Sequence, residues 1–459
     1  MSTVCYYKIN LFNKIKKVTF IKYKEAHDMK LVVIGGGSSY TPELVEGVIN
    51  HHGTLPVTEV VLVDIEEGRK KLQINTEFAK RMVAKAGLAI EVKGTLDRRG
   101  ALADADFIIT QIRVGGLGAR SRDERIPLKY GMIGQETTGI GGCFKALRTI
   151  PVLLDICKDI EELCPQAWLI NFTNPSGIVT EAVLKYTNVK CIGLCNCSIN
   201  MQHDAANRLG VDVKQLDCRF IGLNHLSVMN HAYQDGQDRI GDILHVYNKE
   251  SVVKNIEKNE EMDRVAQELG CMLSPYMQYF YLEKQMIEEE EAQAVGLEGT
   301  RADQVKKVEK ELFEKYSDPK LKEKPEALAR RGGARYSEAA INLIDSIYND
   351  RRDVQIVDVA NHGIIPQMPY DSVIETNCVI GRDGAEPLKD NDVPASVLGL
   401  MLQVKSYEVL TIEAAVSGDK NKAFLAFLNN PLVHDARDAR EALSEMLEAN
   451  KEYLPKFFA

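Results

Sequence analysis

The side chains best equipped for chemistry lie in a short stretch, Cys191-Ile192-Gly193-Leu194-Cys195-Asn196-Cys197-Ser198, and in Gly222-Leu223-Asn224-His225, about one helix and one strand further on. Thiols and imidazoles bind metals and move protons, so the stretch reads as the substrate and metal end of a larger ligand site. Spacing alone does not decide this. Cys-x-x-x-Cys-x-Cys is one residue short of the Cys-x-x-x-Cys-x-x-Cys pattern that marks an iron–sulfur site, and thiols near a strand end are most often packing groups. A lone His is likewise more often a hydrogen-bonded core residue than a ligand. The meaning of the stretch therefore depends on the elements that carry it.

Those elements alternate. Lys30 to Ile34 is a short apolar β-type run, Gly35-Gly36-Gly37-Ser38-Ser39 is a turn, and Thr41-Pro42-Glu43 reads as a helix start with Pro in its first turn. Glycine lets the backbone approach a pyrophosphate closely, and the amides of a helix N-terminus point at an anion. Gly35, Gly36, Gly37 and Ser38 are thus candidate dinucleotide contacts. Tyr40 stands where G-x-G-x-x-G has its third glycine, and a plain tight turn would look similar. The next repeat strengthens the reading, because Glu59 to Val63 is a buried-type strand ending at Asp64, whose carboxylate can accept from an adenosine ribose hydroxyl. Helix-like segments at 68–85, 144–162 and 177–186, and strand-like segments at 89–93, 107–110, 167–171 and 189–193, complete the alternation. It predicts a Rossmann-like, doubly wound parallel sheet over residues 29–200, with ligands outside the carboxyl ends of its strands. Polar segments converge there: Gln111 to Arg122 after the fourth strand, Asn171-Phe172-Thr173-Asn174-Pro175 after the fifth, and Cys195-Asn196 after the sixth. The arginines suit a carboxylate or phosphate, which guanidinium grips with two parallel hydrogen bonds.

Beyond about residue 200 the rhythm breaks down. Residues 249–324 are charged and helix-rich, with the Glu288 to Glu291 run expected on a solvated face. Segments 355–359 and 373–380 read as strands, and 397–415 and 423–428 as helices. Residues 201–459 are therefore expected to form a mixed α+β substrate and oligomerisation domain, packed tightly on the first because no low-complexity linker separates them. Residues 1–28 carry six lysines and no uninterrupted apolar run, fit neither a signal peptide nor a membrane span, and are expected to be a peripheral extension. Composition excludes other classes. A chain that is 45% hydrophobic and 27% charged is neither disordered nor fibrous. A net charge of −9 argues against a nucleic-acid binder. Ten cysteines without a regular disulfide framework or a secretory signal point to reduced thiols in the cytoplasm.

Six segments are jointly recognisable: Ile34 to Pro42, Ile126 to Gly131, Gly134-Gln135-Glu136-Thr137-Thr138, Asn171 to Pro175, Gly193-Leu194-Cys195-Asn196, and Gly222 to His225. In this order they resemble glycoside hydrolase family 4, and the similarity runs from Met29 almost to the C-terminus. NAD-dependent members of that family are exceptions to two-carboxylate glycosidase chemistry. The resemblance implies bound NAD⁺ and a divalent metal, usually Mn²⁺, with Cys195 and His225 in the metal-ligand positions. Two such ligands leave room for neighbouring sugar hydroxyls to chelate. Tyr276 matches the catalytic base, and Glu136 matches a position associated with making that Tyr more basic. Arg120, Asn174 and Arg301 match substrate-binding positions, the arginines at the sugar phosphate, while Tyr279, Phe280 and Tyr281 read as packing residues. Asn196, the residue after the metal cysteine, resembles the 6-phospho-β-glucosidase branch, although Cys197 and Ser198 replace the usual Val-Pro.

The implied activity is hydrolysis of 6-phospho-β-glucosides, such as cellobiose 6-phosphate or an aryl glucoside phosphate, to glucose 6-phosphate. It would proceed by oxidation at C3, loss of the C2 proton and the C1 aglycone, water addition, and return of the hydride. The resemblance also implies a homodimer or homotetramer. Two other classes stay open: a malate- or lactate-type dehydrogenase, which would produce net NADH, and a non-catalytic sensor of NAD and sugar phosphate.

Overall fold

The computed structural model describes residues 28–246, 256, 258–331, 335–389 and 392–459, so the expected N-terminal extension lies, but for Asp28, outside the described residues. From Met29 onward the apolar runs become parallel strands: β1 (Met29–Ile34), β2 (Val57–Val63), β3 (Glu91–Thr95), β4 (Phe107–Thr110), β5 (Trp168–Asn171) and β6 (Lys190–Gly193). They line up as β3-β2-β1-β4-β5-β6, so the order reverses beside β1, which opens a crevice at the carboxyl ends of β1 and β4. Runs such as Phe107-Ile108-Ile109 are apolar at every position because both faces of the sheet are covered. In β1, Val32 and Ile34 enter one core, under helices Gly139–Leu163, Ser176–Tyr186 and Ala395–Ser417. Leu31 and Val33 enter the other, under helices Thr41–Asn50, Arg69–Ala86 and Tyr336–Asn349.

The second half adds β7 (Asp217–Leu223), β8 (Leu226–Gln234), β9 (Gln237–Asp238), β10 (Met272–Leu273), β11 (Asp353–Ala360), β12 (Val373–Gly381) and β13 (Gly384–Pro387). These strands are antiparallel, as a mixed α+β half requires, yet they do not form a separate sheet. Asp358 of β11 pairs with Gly193 of β6, and the order continues through β12, β7, β8 and β10. One sheet of 13 strands therefore runs through the described residues.

Within the polar segment after β4, a helix spans Gly116–Leu128 and carries Arg120 on a buried face, where Arg120 pairs with Glu124 and Asp123 with Arg148. One expectation changes. Glu290 leaves the solvated face, since its carboxylate accepts from the Gly134 amide at 2.7 Å, whereas Glu288, Glu289 and Glu291 are exposed. No described helix is long and apolar enough to cross a membrane.

Candidate active site

At the carboxyl end of β1 the glycines are required by close approach. Gly35 has φ +93°, and a Cβ there would lie 2.8 Å from the Gln111 carbonyl oxygen, while one on Gly36 would lie 2.7 Å from Leu62 Cβ. The Gly35 and Gly36 amides both donate to the Val63 carbonyl, and that of Gly37 donates to Asp64 Oδ2 at 2.6 Å. Asp64 thus stands at the end of β2 as expected and braces the turn. Buried Asn75 donates to the carbonyls of Gly36 and Ser38, at 2.8 Å each, and Ser38 Oγ accepts from the Tyr40 amide. The expected free amides of the helix start are engaged locally, Thr41 with Ser38 O and Glu43 with Tyr40 O. What this end offers a polar ligand is instead a set of buried amide oxygens without hydrogen-bond partners, Asn75 Oδ1, Gln111 Oε1 and Asn174 Oδ1, the last two following β4 and β5. A glycine-lined cradle with the unpaired Asn75 and Gln111 oxygens beside it fits a dinucleotide.

Across the crevice, Cys195 stands two residues after β6 and caps helix Asn196–Leu209, its Sγ accepting from the Cys197 amide at 3.4 Å. His225 comes from the two-residue turn between β7 and β8, and its Nε2 lies 3.5 Å from Cys195 Sγ. The Tyr276 ring, on a single turn at Pro275–Met277, stacks on the imidazole with centroids 3.7 Å apart and planes 2° apart. Burial, with Lys145 nearby, pushes the imidazole pKa down to about 3, and burial, with Cys197 and Glu375, raises the thiol well above its usual range. Imidazole and thiol are therefore both neutral, and an arriving divalent cation would displace the thiol proton. Among the described residues no cluster of three or more His, Cys, Asp or Glu could hold a metal ion. The pair thus fits a cation whose remaining positions are filled from outside the chain. Asn196 opens the helix after Cys195 and is half-buried. Cys197 turns inward, 3.7 Å from Ser274 Oγ, so the departure from Val-Pro is accommodated by packing against the segment that leads to Tyr276. Tyr279 is buried 6.3 Å from the Tyr276 ring, as a packing residue should be.

A buried charge cluster lies behind. Glu136 binds Arg113, Arg120 Nη1 at 2.9 Å and Lys145 Nζ at 2.9 Å. Burial alone would raise its pKa, but the three cations hold it well below the carboxylate range. Arg120 is committed to two carboxylates, Glu136 and Glu124, the latter at 2.6 Å. Arg301 donates only to neutral acceptors among its recorded hydrogen bonds, Gln304 Oε1 and the carbonyls of Arg330 and Arg331. Burial, then Arg120 and Arg331, lowers its pKa, so it is an electrostatically exposed guanidinium beside other cations, which suits an anion.

This architecture matches a known group along nearly its whole length. Family 4 glycosyl hydrolase matches residues 30–211, and the family 4 glycosyl hydrolase C-terminal domain matches residues 220–433. The chain belongs to glycoside hydrolase family 4. Within the family it is 52% identical over 434 residues to a probable 6-phospho-beta-glucosidase of Bacillus subtilis, covering 94% of this chain and 98% of that one. It is 45% identical over 436 residues to the 6-phospho-beta-glucosidase of Escherichia coli, covering 94% and 97%. A structure of the Thermotoga maritima 6-phospho-beta glucosidase with manganese, NAD⁺ and glucose-6-phosphate superposes with a TM-score of 0.84 at 36% identity, covering 93% of this chain and 99% of that one.

Family 4 motifs point to Arg120 and Glu136 in this charge cluster but not to Lys145. Lys145 went unnoticed in the apolar helix Gly139–Leu163, although a lysine on a face that is otherwise buried is itself a signal of a paired charge. Burial foremost pushes its pKa down to about 7.

Proposed function

We propose that the protein hydrolyses 6-phospho-β-glucosides, such as cellobiose 6-phosphate or an aryl glucoside phosphate, to glucose 6-phosphate, using NAD⁺ and Mn²⁺. The observation that carries this is the stack of Cys195, His225 and Tyr276, with a thiol and an imidazole 3.5 Å apart and a phenol held flat against the imidazole. When bound, NAD⁺ would supply reversible hydride acceptance at sugar C3, and Cys195 and His225 would hold the cation, which would supply Lewis-acid polarisation of sugar oxygens. Tyr276, as its phenolate, takes the C2 proton that oxidation at C3 makes acidic, and the C1 aglycone leaves with a proton from water; water then adds at C1 as a proton returns to C2, and return of the hydride to C3 leaves no net NADH. Arg301 and Arg120 bind the 6-phosphate region, Arg301 with its guanidinium donating only to neutral acceptors and Arg120 held in place by Glu124 and Glu136. Asn174 Oδ1, unpaired and buried, accepts from a sugar hydroxyl. Glu136, held ionised by the cation cluster at the base of the site, makes the Tyr276 phenolate a stronger base through its negative charge. Gly35, Gly36, Gly37, Ser38 and Asp64 hold the dinucleotide turn. The protein works in the cytoplasm as a homo-oligomer: the nine described cysteines are all free and buried, as a reducing compartment allows, and exposed Val295 and Leu297 offer apolar surface beside the Arg301 helix.

The test is hydrolysis of an aryl 6-phospho-β-glucoside with NAD⁺ and Mn²⁺, followed for released phenol and for NADH. Phenol release without net NADH is expected, and net NADH would favour a dehydrogenase. In D₂O the glucose 6-phosphate formed should carry deuterium at C2, and a C2-deuterated substrate should show a primary isotope effect. Absence of both would remove the elimination route.

A further inference from the structure

Two buried carboxyls outside the reacting groups touch the segments that present them. Asp358 and Glu375 face each other across the β11–β12 ladder, 0% and 2% exposed. Glu375 Oε2 accepts from Asn224 Nδ2 at 3.2 Å and Oε1 accepts from Ser227 Oγ at 2.6 Å, so one carboxyl brackets the turn that carries His225. That turn needs bracketing. His225 has φ +66°, a left-handed conformation that strains a residue bearing a side chain. Glu375 pairs with Gly222, which has φ +146° and where a Cβ would meet Leu226 O at 2.6 Å, so the hairpin folds tightly under the carboxyl. The Ser227 carbonyl in turn accepts from the Ser274 amide, which leads into the turn bearing Tyr276. Asp358 Oδ2 accepts from Ser176 Oγ at 2.5 Å, just after Asn174-Pro175, and Asp358 pairs with Gly193, two residues before Cys195. Burial raises the pKa of both carboxyls, and Asp358 is raised further by facing Glu375.

We infer that Glu375 is the positioning residue of this site: it holds His225 in its strained turn and, through Ser227 and Ser274, fixes the Tyr276 ring against it. This rests on the metal assignment under the proposed function and concerns only this chain's own side chains. The experiment measures Mn²⁺ affinity by electron paramagnetic resonance and NAD⁺ affinity by fluorescence, on protein variants checked for an unchanged melting temperature. Removal of such an outer support weakens metal binding by about 10- to 100-fold. Glu375→Ala should therefore lose Mn²⁺ affinity to that extent while NAD⁺ affinity stays within about twofold. Glu375→Gln, which keeps one acceptor for Ser227, should fall in between, and Asp358→Asn, which keeps the Ser176 bond, should bind Mn²⁺ like the parent. A folded Glu375→Ala protein with parental Mn²⁺ affinity overturns the inference. If Glu375→Ala does not fold, Ser227→Ala takes its place: a loss of Mn²⁺ affinity of a few-fold supports the inference, and parental affinity overturns it. A parent that binds Mn²⁺ but does not cleave 6-phospho-β-glucosides overturns the proposed function alone, whereas a parent that binds no Mn²⁺ overturns both.

Discussion

Cys195 and His225 face each other as a neutral thiol and a neutral imidazole, so the cation proposed for them would be completed by ligands that are not part of the chain. Cys195→Ser or His225→Ala should abolish Mn²⁺-dependent turnover while NAD⁺ affinity, measured by fluorescence, stays within about twofold, because the dinucleotide turn lies at the other end of the crevice. Full activity of either variant after chelator treatment would contradict the assignment. Glu290 makes a second prediction at this scale. Burial pushes its carboxyl up to about 8, against the opposing bond from the Gly134 amide. In the folded protein it keeps a proton that the unfolded chain releases near its ordinary value of about 4.5, so folding takes up a proton between those limits and stability falls as pH rises through that window. Glu290→Gln is neutral throughout, and its melting temperature should decline less than that of the parent between pH 5 and pH 8. Equal slopes in calorimetry would show that Glu290 does not titrate in this window.

The helix Arg301–Tyr316 joins the two ends of the crevice. Arg301 begins it beside Arg120 and Arg331, Glu309 accepts from Ser39 Oγ at 3.3 Å, and the Tyr316 hydroxyl donates to the Ser39 carbonyl at 3.0 Å. Tyr316→Phe leaves that carbonyl unpaired, a loss of about 1 kcal/mol, so NAD⁺ affinity should fall about two- to fivefold while hydrolysis at saturating NAD⁺ is little changed. Unchanged NAD⁺ affinity would mean that the helix does not brace the turn. Legibility differed among elements for physical reasons. The β/α units from Met29 to Gly193 were readable because strands buried on both faces leave unbroken apolar runs. The helix Gly116–Leu128 was not, since Arg120, Asp123 and Glu124 sit on its buried face, paired with partners that no local pattern reveals. The same blindness hid Glu375: within Val373 to Ile380 it is one of three consecutive polar residues, with Thr376 and Asn377, and its partners Asn224 and Ser227 are about 150 positions away. Cys195, His225 and Tyr276 were legible through family motifs, whereas their stacking was not, because it depends on the meeting of β6, β7–β8 and the turn after β10.

As a whole, the molecule is one sheet with a core on each face, and each core draws side chains from both halves of the chain. Calorimetry should therefore show a single transition, shifted upward as a unit by saturating NAD⁺. Two separate transitions, only one of them moved by NAD⁺, would show that the halves fold independently. By the same reasoning, a fragment ending near residue 200 should not hold a stable fold, because the apolar faces otherwise covered by Tyr336–Asn349 and Ala395–Ser417 would be bare. The pairing of β6 with β11 also has a cost during synthesis. On the ribosome, β6 is complete at Gly193, but β11 begins only at Asp353, about 160 residues later. At about 5–20 residues per second, the nascent chain carries an open apolar sheet edge for roughly 8–30 s. An unpaired edge is a template for pairing with a neighbouring chain, so yield from crowded polysomes should depend on holdase chaperones and on slow expression at low temperature.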